Sequence, residues 1–277
     1  MQDHVGNVPY RGHFHLLSKR LPVKPLFRCR TLGFEQNSTE PASGYRSQSA
    51  APGRTIRIMS CMLKRGGGLY PRLHIAAVLL AAGEGRRMGG VAKPLIRLQG
   101  VPLISRKLVA LSGAGVDEVV VVTGYASAEV EQQVQLFPVT VVHNPSHAEG
   151  QEGSVRLGLA ALSGEFDAVF VMPSDQPLIE SDDLIELIGA FKKRAAGHVV
   201  VPNVNGQRGN PILLDEVALA EILTSDTNLA CRHLIDNNPE LVYVHETGNT
   251  HFITDLDTPG DLQVLAQRTG WRLEMPA

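Results

Sequence analysis

Hydrophobic and polar positions along the chain fall into two alternating rhythms from Ile75 onward. Ile75-Ala-Ala-Val-Leu-Leu-Ala-Ala82 is an unbroken apolar run, too short to cross a bilayer and suited to a parallel strand buried on both faces. Shorter β-type runs follow at Glu118–Val122, which ends at Thr123-Gly124, at Thr140–Val142 and at Ala168–Met172, which ends at Pro173-Ser174-Asp175-Gln176-Pro177. Between them the spacing predicts helices over about Ser105–Ala114, closed by Gly113 and Gly115, then Ala126–Gln135 and Gly153–Leu162. Ser181 is expected to cap a helix reaching about Arg194, with Asp182 and Asp183 in the first turn, where negative charge is favourable. Strands alternating with helices predict an α/β fold with parallel strands joined by crossover helices.

The second half is less regular. His198–Pro202 and Pro211–Leu214 read as strands around a turn at Asn205-Gly206. Asp215–Leu223 and Asn228–Asp236 read as helices, and Leu241–His245 and His251–Thr254 as strands. Thr258-Pro259 opens a last helix, with Thr at the cap and Pro at the first helical position. The pattern carries no internal repeat and does not give the order of strands in the sheet. In open α/β sheets ligands bind beyond the carboxyl ends of strands. Two polar segments stand at such ends: the glycine-rich stretch after Ala82, and Asp175.

Charge divides the chain more sharply than hydropathy. Residues 1–70 hold 11 of the 26 Lys and Arg but 3 of the 28 Asp and Glu, leaving 15 basic and 25 acidic residues in the remainder. The first 70 residues lack amphipathic periodicity, are dotted with Gly, Pro, Ser and Arg, and are expected to be a disordered leader. They read as a transit peptide, as a nucleic-acid tail, or as residues upstream of a true start at Met59 or Met62. The acidic body argues against nucleic-acid binding, and no segment has the length and apolarity of a membrane helix. Cys29, Cys61 and Cys231 are far apart and odd in number, which speaks for a reducing compartment and a cytoplasmic protein. His143 and His147 stand four positions apart, with Pro145 between them, and the ten histidines form no larger His/Cys cluster that would suit a transition metal.

The stretch Gly83-Glu84-Gly85-Arg86-Arg87-Met88-Gly89-Gly90-Val-Ala-Lys93-Pro94 carries the strongest chemistry. Glycines permit positive φ and a close backbone approach, successive N–H groups form an anion-binding nest, and the cations add charge for phosphates. It is neither a dinucleotide fingerprint, since Met88 stands where the third glycine belongs, nor a Walker A loop, since Lys93 follows Ala92 and precedes Pro94.

Leu80-Ala81-Ala82-Gly83-x-Gly85-x-Arg87-Met88-Gly89, followed by Lys93, resembles the signature of the MobA-like nucleotidyltransferases, and the likeness runs from about Ile75 to Leu262. It implies a Rossmann-like three-layer nucleotidyltransferase fold with a mostly parallel sheet over residues 71–270, leaving 271–277 as a tail. It implies transfer of a nucleoside monophosphate from an NTP onto a phosphorylated acceptor. Leu-Ala-Ala-Gly is closer to the molybdenum cofactor cytidylyltransferases than to the guanylyltransferase branch, which usually has glycine at position 82. CTP and molybdenum cofactor are the partners that follow, together with a molybdoenzyme or its maturation chaperone.

In such a transfer two anions must approach each other, so alignment and charge neutralisation dominate. Mg²⁺ is the expected cofactor, held by one or two carboxylates plus phosphates and water. Asp175, in an Asp-Gln-Pro element like the family's, is the first candidate ligand, although an Asp here can also simply cap a turn. His251-Phe-Ile-Thr-Asp255-Leu-Asp257-Thr-Pro259-Gly-Asp261-Leu resembles the family's Asp-Ile-Asp-Thr-Pro-Glu-Asp-Leu. Asp255 or Asp257 should supply the second carboxylate, Asp255 being preferred because Asp257 sits beside the helix start and could cap it. Lys93 and Arg87 resemble the lysine and arginine that grip the triphosphate, while Arg86 falls on a variable position. Ser154, in a segment like the family's Gly-Met-x-x-Ser, is either a contact near the nucleoside or a helix cap. Gly209-Asn210-Pro211 resembles an acceptor-side element. Arg232 closes a Ser225-Asp226-Thr-Asn228-Leu-Ala-Cys231-Arg232 stretch that lacks the glycines of the cytidylyltransferases' Gly-Asp-x-Gly-Ala-Arg, so it reads as an anion-binding residue or a surface ion-pair partner.

Two alternatives stay open. Sugar-phosphate and methylerythritol-phosphate nucleotidyltransferases usually place Pro before the lysine, and the latter carry Asp-x-x-Arg-Pro where this chain has Ser174-Asp175-Gln-Pro. A non-catalytic nucleotide- or cofactor-binding chaperone is the other.

Overall fold

A central sheet organises the computed structural model, which describes residues 72–225 and 231–276. The expected leader, with Met59 and Met62, lies outside the described residues, as do Asp226 and Asn228. Every residue of strand β1 (Ile75–Ala81) is buried, because β1 pairs in parallel with β4 (Glu118–Thr123) on one side and β6 (Ala168–Pro173) on the other. Between β1 and β4 run two short strands, β2 (Arg97–Leu98) and β3 (Val101–Pro102), and helix α1 (Leu103–Gly113). Helix α2 (Ser127–Val134), strand β5 (Thr140–His143) and helix α3 (Gln151–Ala160) complete the first half. The second half holds α4 (Ser181–Lys193), β7 (Val199–Val204), β8 (Gln207–Arg208), β9 (Ile212–Leu214), α5 (Glu216–Thr224), α6 (Cys231–Asn237), β10 (Val242–Glu246), α7 (Pro259–Thr269) and β11 (Leu273–Glu274). The main sheet runs β10-β7-β9-β6-β1-β4-β5, with β8 paired to β7. It is mostly parallel: β9 is antiparallel to both β6 and β7, and β8 to β7.

The alternation of β1 side chains builds three layers. Ile75, Ala77 and Leu79 pack against Ile104, Leu108 and Leu111 of α1, Val130 of α2 and Leu184 and Leu187 of α4. Ala76, Val78 and Leu80 face Val155 and Leu159 of α3, Ala218 and Ile222 of α5, and Leu234 and Ile235 of α6. Both layers are apolar, so strand and helix contributions must meet at matching periods, and they do.

Four local expectations need correcting. The helix expected to begin at Gly153 begins two residues earlier, at Gln151. Ser181 is the first helical residue of α4 and Glu180 the capping position, whose N–H is taken by the Asp183 carboxylate at 2.7 Å. His251–Thr254 is no strand: Thr250–Ile253 makes a short 3₁₀ turn, because Asn249 accepts the N–H of His251 and starts it. The Thr258 cap of α7 is as expected, with Asp261 accepting the Thr258 N–H in return. Residues 271–276, expected as a tail, return to the domain: Leu273 and Glu274 pair with Leu98 and Arg97, and Trp271 packs on a third core and beneath the Arg106 guanidinium.

Candidate active site

The glycine-rich loop starts where β1 ends. Gly85 is left-handed (φ +60°), and its carbonyl accepts the N–H groups of both Met88 and Gly90, at 2.8 and 3.1 Å. An added Cβ at Gly85 would overlap the Val91 carbonyl oxygen, so both conformation and space require glycine there. The Met88 side chain turns inward. It is buried among Leu178, Leu256 and Leu262, and so fastens the loop to residues flanking the two acid-bearing segments. Leu80, Ala81 and Ala82 are buried as well, leaving the backbone of the loop and its cations as the groups that can meet a ligand. Arg86 pairs with Glu84, which also lies 3.6 Å from His147; neither partnership shows in the sequence.

Lys93 opens a 3₁₀ turn whose N–H···O bonds, Leu95 to Ala92 and Ile96 to Lys93, hold its backbone. Its Nζ donates to Asp175 Oδ2 at 3.0 Å and to Asp257 Oδ1 at 2.6 Å. Arg87 Nη1 donates to the other oxygen of Asp257 at 3.2 Å. Residues separated by 82 and 164 positions thus meet at one ammonium group. Burial works against the charge on Lys93, but the two carboxylates outweigh it and hold its pKa above the ordinary lysine value.

The backbone explains the convergence. Asp175 follows β6, and its carbonyl accepts the Leu256 N–H at 3.0 Å, so the residue between Asp255 and Asp257 is tied directly to the Asp175 segment. The neighbouring Gln176 is fully buried and donates to the Phe252 carbonyl, a second tie that the motif reading passed over. Asp257 does not cap α7; Thr258 and Asp261 do, and the Asp257 carboxylate is free to meet Lys93 and Arg87. Desolvation, then the charges of Asp175 and Asp257, push the Asp255 carboxyl up to about 6, although the residue as a whole is exposed.

Ser154 lies inside the first turn of α3 and is not its cap. It is buried, and its hydroxyl accepts from Asn144 Nδ2 at 2.8 Å. Gly209, Asn210 and Pro211 stand beside the acid segment. Asn210 N–H donates to the Phe252 carbonyl at 2.9 Å, and a Cβ at Gly209 would run into the same residue. Arg232 is exposed on α6, next to residues outside the described set.

Sequence reading also missed Asp183 as an organiser. Expected only as a helix-dipole partner, its buried carboxylate accepts from Asn249 Nδ2 at 2.6 Å and contacts His251 Nδ1 at 3.0 Å. That staples the turn leading into Asp255 to α4. The signal available was an Asp at the third helical position, which is compatible with ordinary capping and points to no distant partner.

The site therefore joins a backbone nest, two cations and three carboxylates at the carboxyl edge of β1 and β6. The family model for the MobA-like NTP transferase domain matches residues 77–241, more than half of the chain. The chain belongs to this family. Among its relatives, molybdenum cofactor cytidylyltransferase of Escherichia coli (strain K12) is 28% identical over 197 residues, spanning 70% of this chain and 96% of that protein. A nucleotidyl transferase from Methanothermobacter thermautotroptrophicus shares the fold with a TM-score of 0.60 and 24% identity, over 70% of this chain and 97% of that one. Rv0371c from Mycobacterium tuberculosis H37Rv, solved as a complex with manganese, does so with a TM-score of 0.56 and 21% identity, over 70% and 98%. For this MobA-like nucleotidyltransferase, then, the glycine loop and Asp175 fall within the matched domain, whereas Asp255 and Asp257 lie beyond its last matched residue. Among the described residues no helix is long and apolar enough to cross a membrane.

Proposed function

We propose that this nucleotidyltransferase moves a nucleoside monophosphate, CMP from CTP, onto a phosphorylated acceptor of the molybdenum cofactor type in a Mg²⁺-dependent reaction. An acceptor phosphate oxygen forms a bond to the α-phosphorus while the bond from that phosphorus to the β-phosphate bridging oxygen breaks, and pyrophosphate leaves with the electron pair. The observation that carries this reading is the meeting of Lys93, Asp175 and Asp257 beside the glycine loop.

In this reading the backbone N–H groups of Gly83–Arg87 cradle the phosphates, those of Met88 and Gly89 being bonded within the loop, with Lys93 and Arg87 neutralising them. Ser154 stands on the nucleoside side. Gly209-Asn210-Pro211 and Arg232 stand on the acceptor side. Asp175 is the first metal ligand and Asp257, already facing the same point, the second, with Asp255 the alternative. The donor chemistry fits a hard cation: carboxylate oxygens of two segments already face one point. Among the described residues no three His, Cys, Asp or Glu side chains are arranged to hold an ion unaided, which suits an ion whose remaining ligands are phosphates and water. When bound, Mg²⁺ supplies charge neutralisation between the two approaching anions. The Leu-Ala-Ala-Gly form of the loop and the cytidylyltransferase relative support CTP as donor and molybdenum cofactor as acceptor.

The full chain, given each of CTP, GTP, ATP and UTP with Mg²⁺ and candidate acceptors, should release pyrophosphate with CTP and the correct acceptor. Asp175→Ala should lower turnover about 10²–10³-fold or more with an unchanged thermal melt. Wild-type turnover in that variant would remove Asp175 from the site.

A further inference from the structure

We infer that Lys93 is a built-in occupant of the cation position: its ammonium holds the space between Asp175 and Asp257 until a triphosphate draws it away, so a divalent cation enters with the nucleotide and not ahead of it. This rests on the reading above.

The geometry is specific. The two carboxylate oxygens best placed to hold a cation, Asp175 Oδ2 and Asp257 Oδ1, are both engaged by one ammonium at 3.0 and 2.6 Å. The Lys93 side chain is 15% exposed and that of Asp175 25%, while that of Asp257 is 45% exposed, so solvent screens the Lys93–Asp175 side of this point weakly and the Asp257 side more. A dication at the same two oxygens would sit against the ammonium, and two positive centres at contact distance repel strongly where screening is weak.

Charge counting points the same way. Asp175 and Asp257 meet Lys93 and Arg87, and the charge of the nearby Asp255 is felt at the same place, leaving the cluster one negative charge to attract an ion that gives up its water reluctantly. Removing the lysine charge doubles that excess. A triphosphate offers the ammonium more negative charge than the carboxylates do. The lysine can make this exchange with its side chain alone: its stem is flexible with three rotatable donors, while its backbone is pinned by the 3₁₀ turn and the buried Pro94. The oxygens it leaves then face a cation arriving with the phosphates.

The test uses Mn²⁺ alone as probe, on the full-length nucleotide-free protein, following free Mn²⁺ by electron paramagnetic resonance. Lys93→Met should bind Mn²⁺ roughly tenfold or more tightly than wild type, and Lys93→Gln should follow it. Lys93→Arg keeps the charge and should stay as weak as wild type. Unchanged or weaker Mn²⁺ binding in Lys93→Met and Lys93→Gln, with native circular dichroism, would overturn the inference; so would Lys93→Arg matching Lys93→Met. A separate titration of wild type with each NTP and Mn²⁺ judges the proposed function. Absence of NTP binding would sink that function and the release step with it, while the Met–Arg contrast still decides whether the lysine excludes the ion.

Discussion

The two flanks of the site are held in place by different kinds of interaction. On the glycine-loop flank, β1 is locked between β4 and β6 with every residue buried, and Met88 is pinned in an apolar core. On the acid flank, the turn at Thr250–Ile253 is held by side-chain hydrogen bonds: Asn249 and His251 to Asp183, and Gln176 to the Phe252 carbonyl. The first flank is secured by burial and by the local needs of a glycine bend. The second depends on polar contacts between residues 66 to 76 positions apart. Apolar burial is insensitive to direction, whereas each polar tie must be made in register or leave a buried group unpaired. The acid flank should therefore give way to substitutions that leave the loop flank intact, and the reverse.

The largest expected effect is on the loop flank. Gly85→Ala forces an alanine into the left-handed region, at about 1–2 kcal/mol, and pushes its Cβ onto the Val91 carbonyl. Nucleotide affinity measured by calorimetry should fall at least about tenfold, and the melting temperature should fall with it. Nucleotide binding equal to wild type would show that the bend is not what presents the phosphate site. Gly209→Ala strikes the other flank, where the new Cβ meets the Phe252 carbonyl. Overpacking of this kind costs about 1–3 kcal/mol, so the melting temperature should drop by several degrees and turnover should suffer more than nucleotide affinity. A loss confined to nucleotide affinity would erase the distinction between the flanks.

Asn249→Ala is a milder probe. Loss of its bond to Asp183 and of the cap on His251 should cost about 0.5–1.5 kcal/mol, read as a lower denaturation midpoint with nucleotide binding retained. An unchanged midpoint would mean that Asp183 does not secure the turn.

A last effect is read as a pH dependence and comes from Lys107, fully buried with its Nζ donating to the Ile179 carbonyl at 2.9 Å. Burial pushes its pKa from 10.5 down to about 7. The folded state thus disfavours the charged form, and the stability associated with the neutral amine is lost as pH falls from about 10 towards 7. Methionine carries no proton, so the melting temperature of Lys107→Met relative to wild type should shift in the variant's favour over that interval. A pH-independent difference would show that Lys107 does not titrate across it.

How much of this was legible in the sequence follows the same division. β1, the loop after it and Asp175 were readable because a buried parallel strand ending in glycines and cations leaves a local, contiguous trace. The helix cap at Thr258 was readable for the same reason. His251–Thr254 was misread because a short apolar stretch does not reveal its period, and the contact that bends it lies on α4. Asp257 was weighed against capping because its neighbours in sequence suggested that role; its partners, Lys93 and Arg87, are 164 and 170 residues away. A single lysine among apolar residues gives no hint in the sequence that Lys107 is buried.

Sequence by itself determined the alternation of strands and helices, the glycine-rich bend after the first strand and the presence of acids at strand ends, because periodicity and glycine chemistry act over a few residues. Only the tertiary structure decided which acid meets Lys93, which side chains brace the acid turn and where the ammonium sits. Those outcomes depend on sheet order and on backbone bonds such as Leu256 to Asp175, and a contact between distant segments exists only once the strands between them have been stacked.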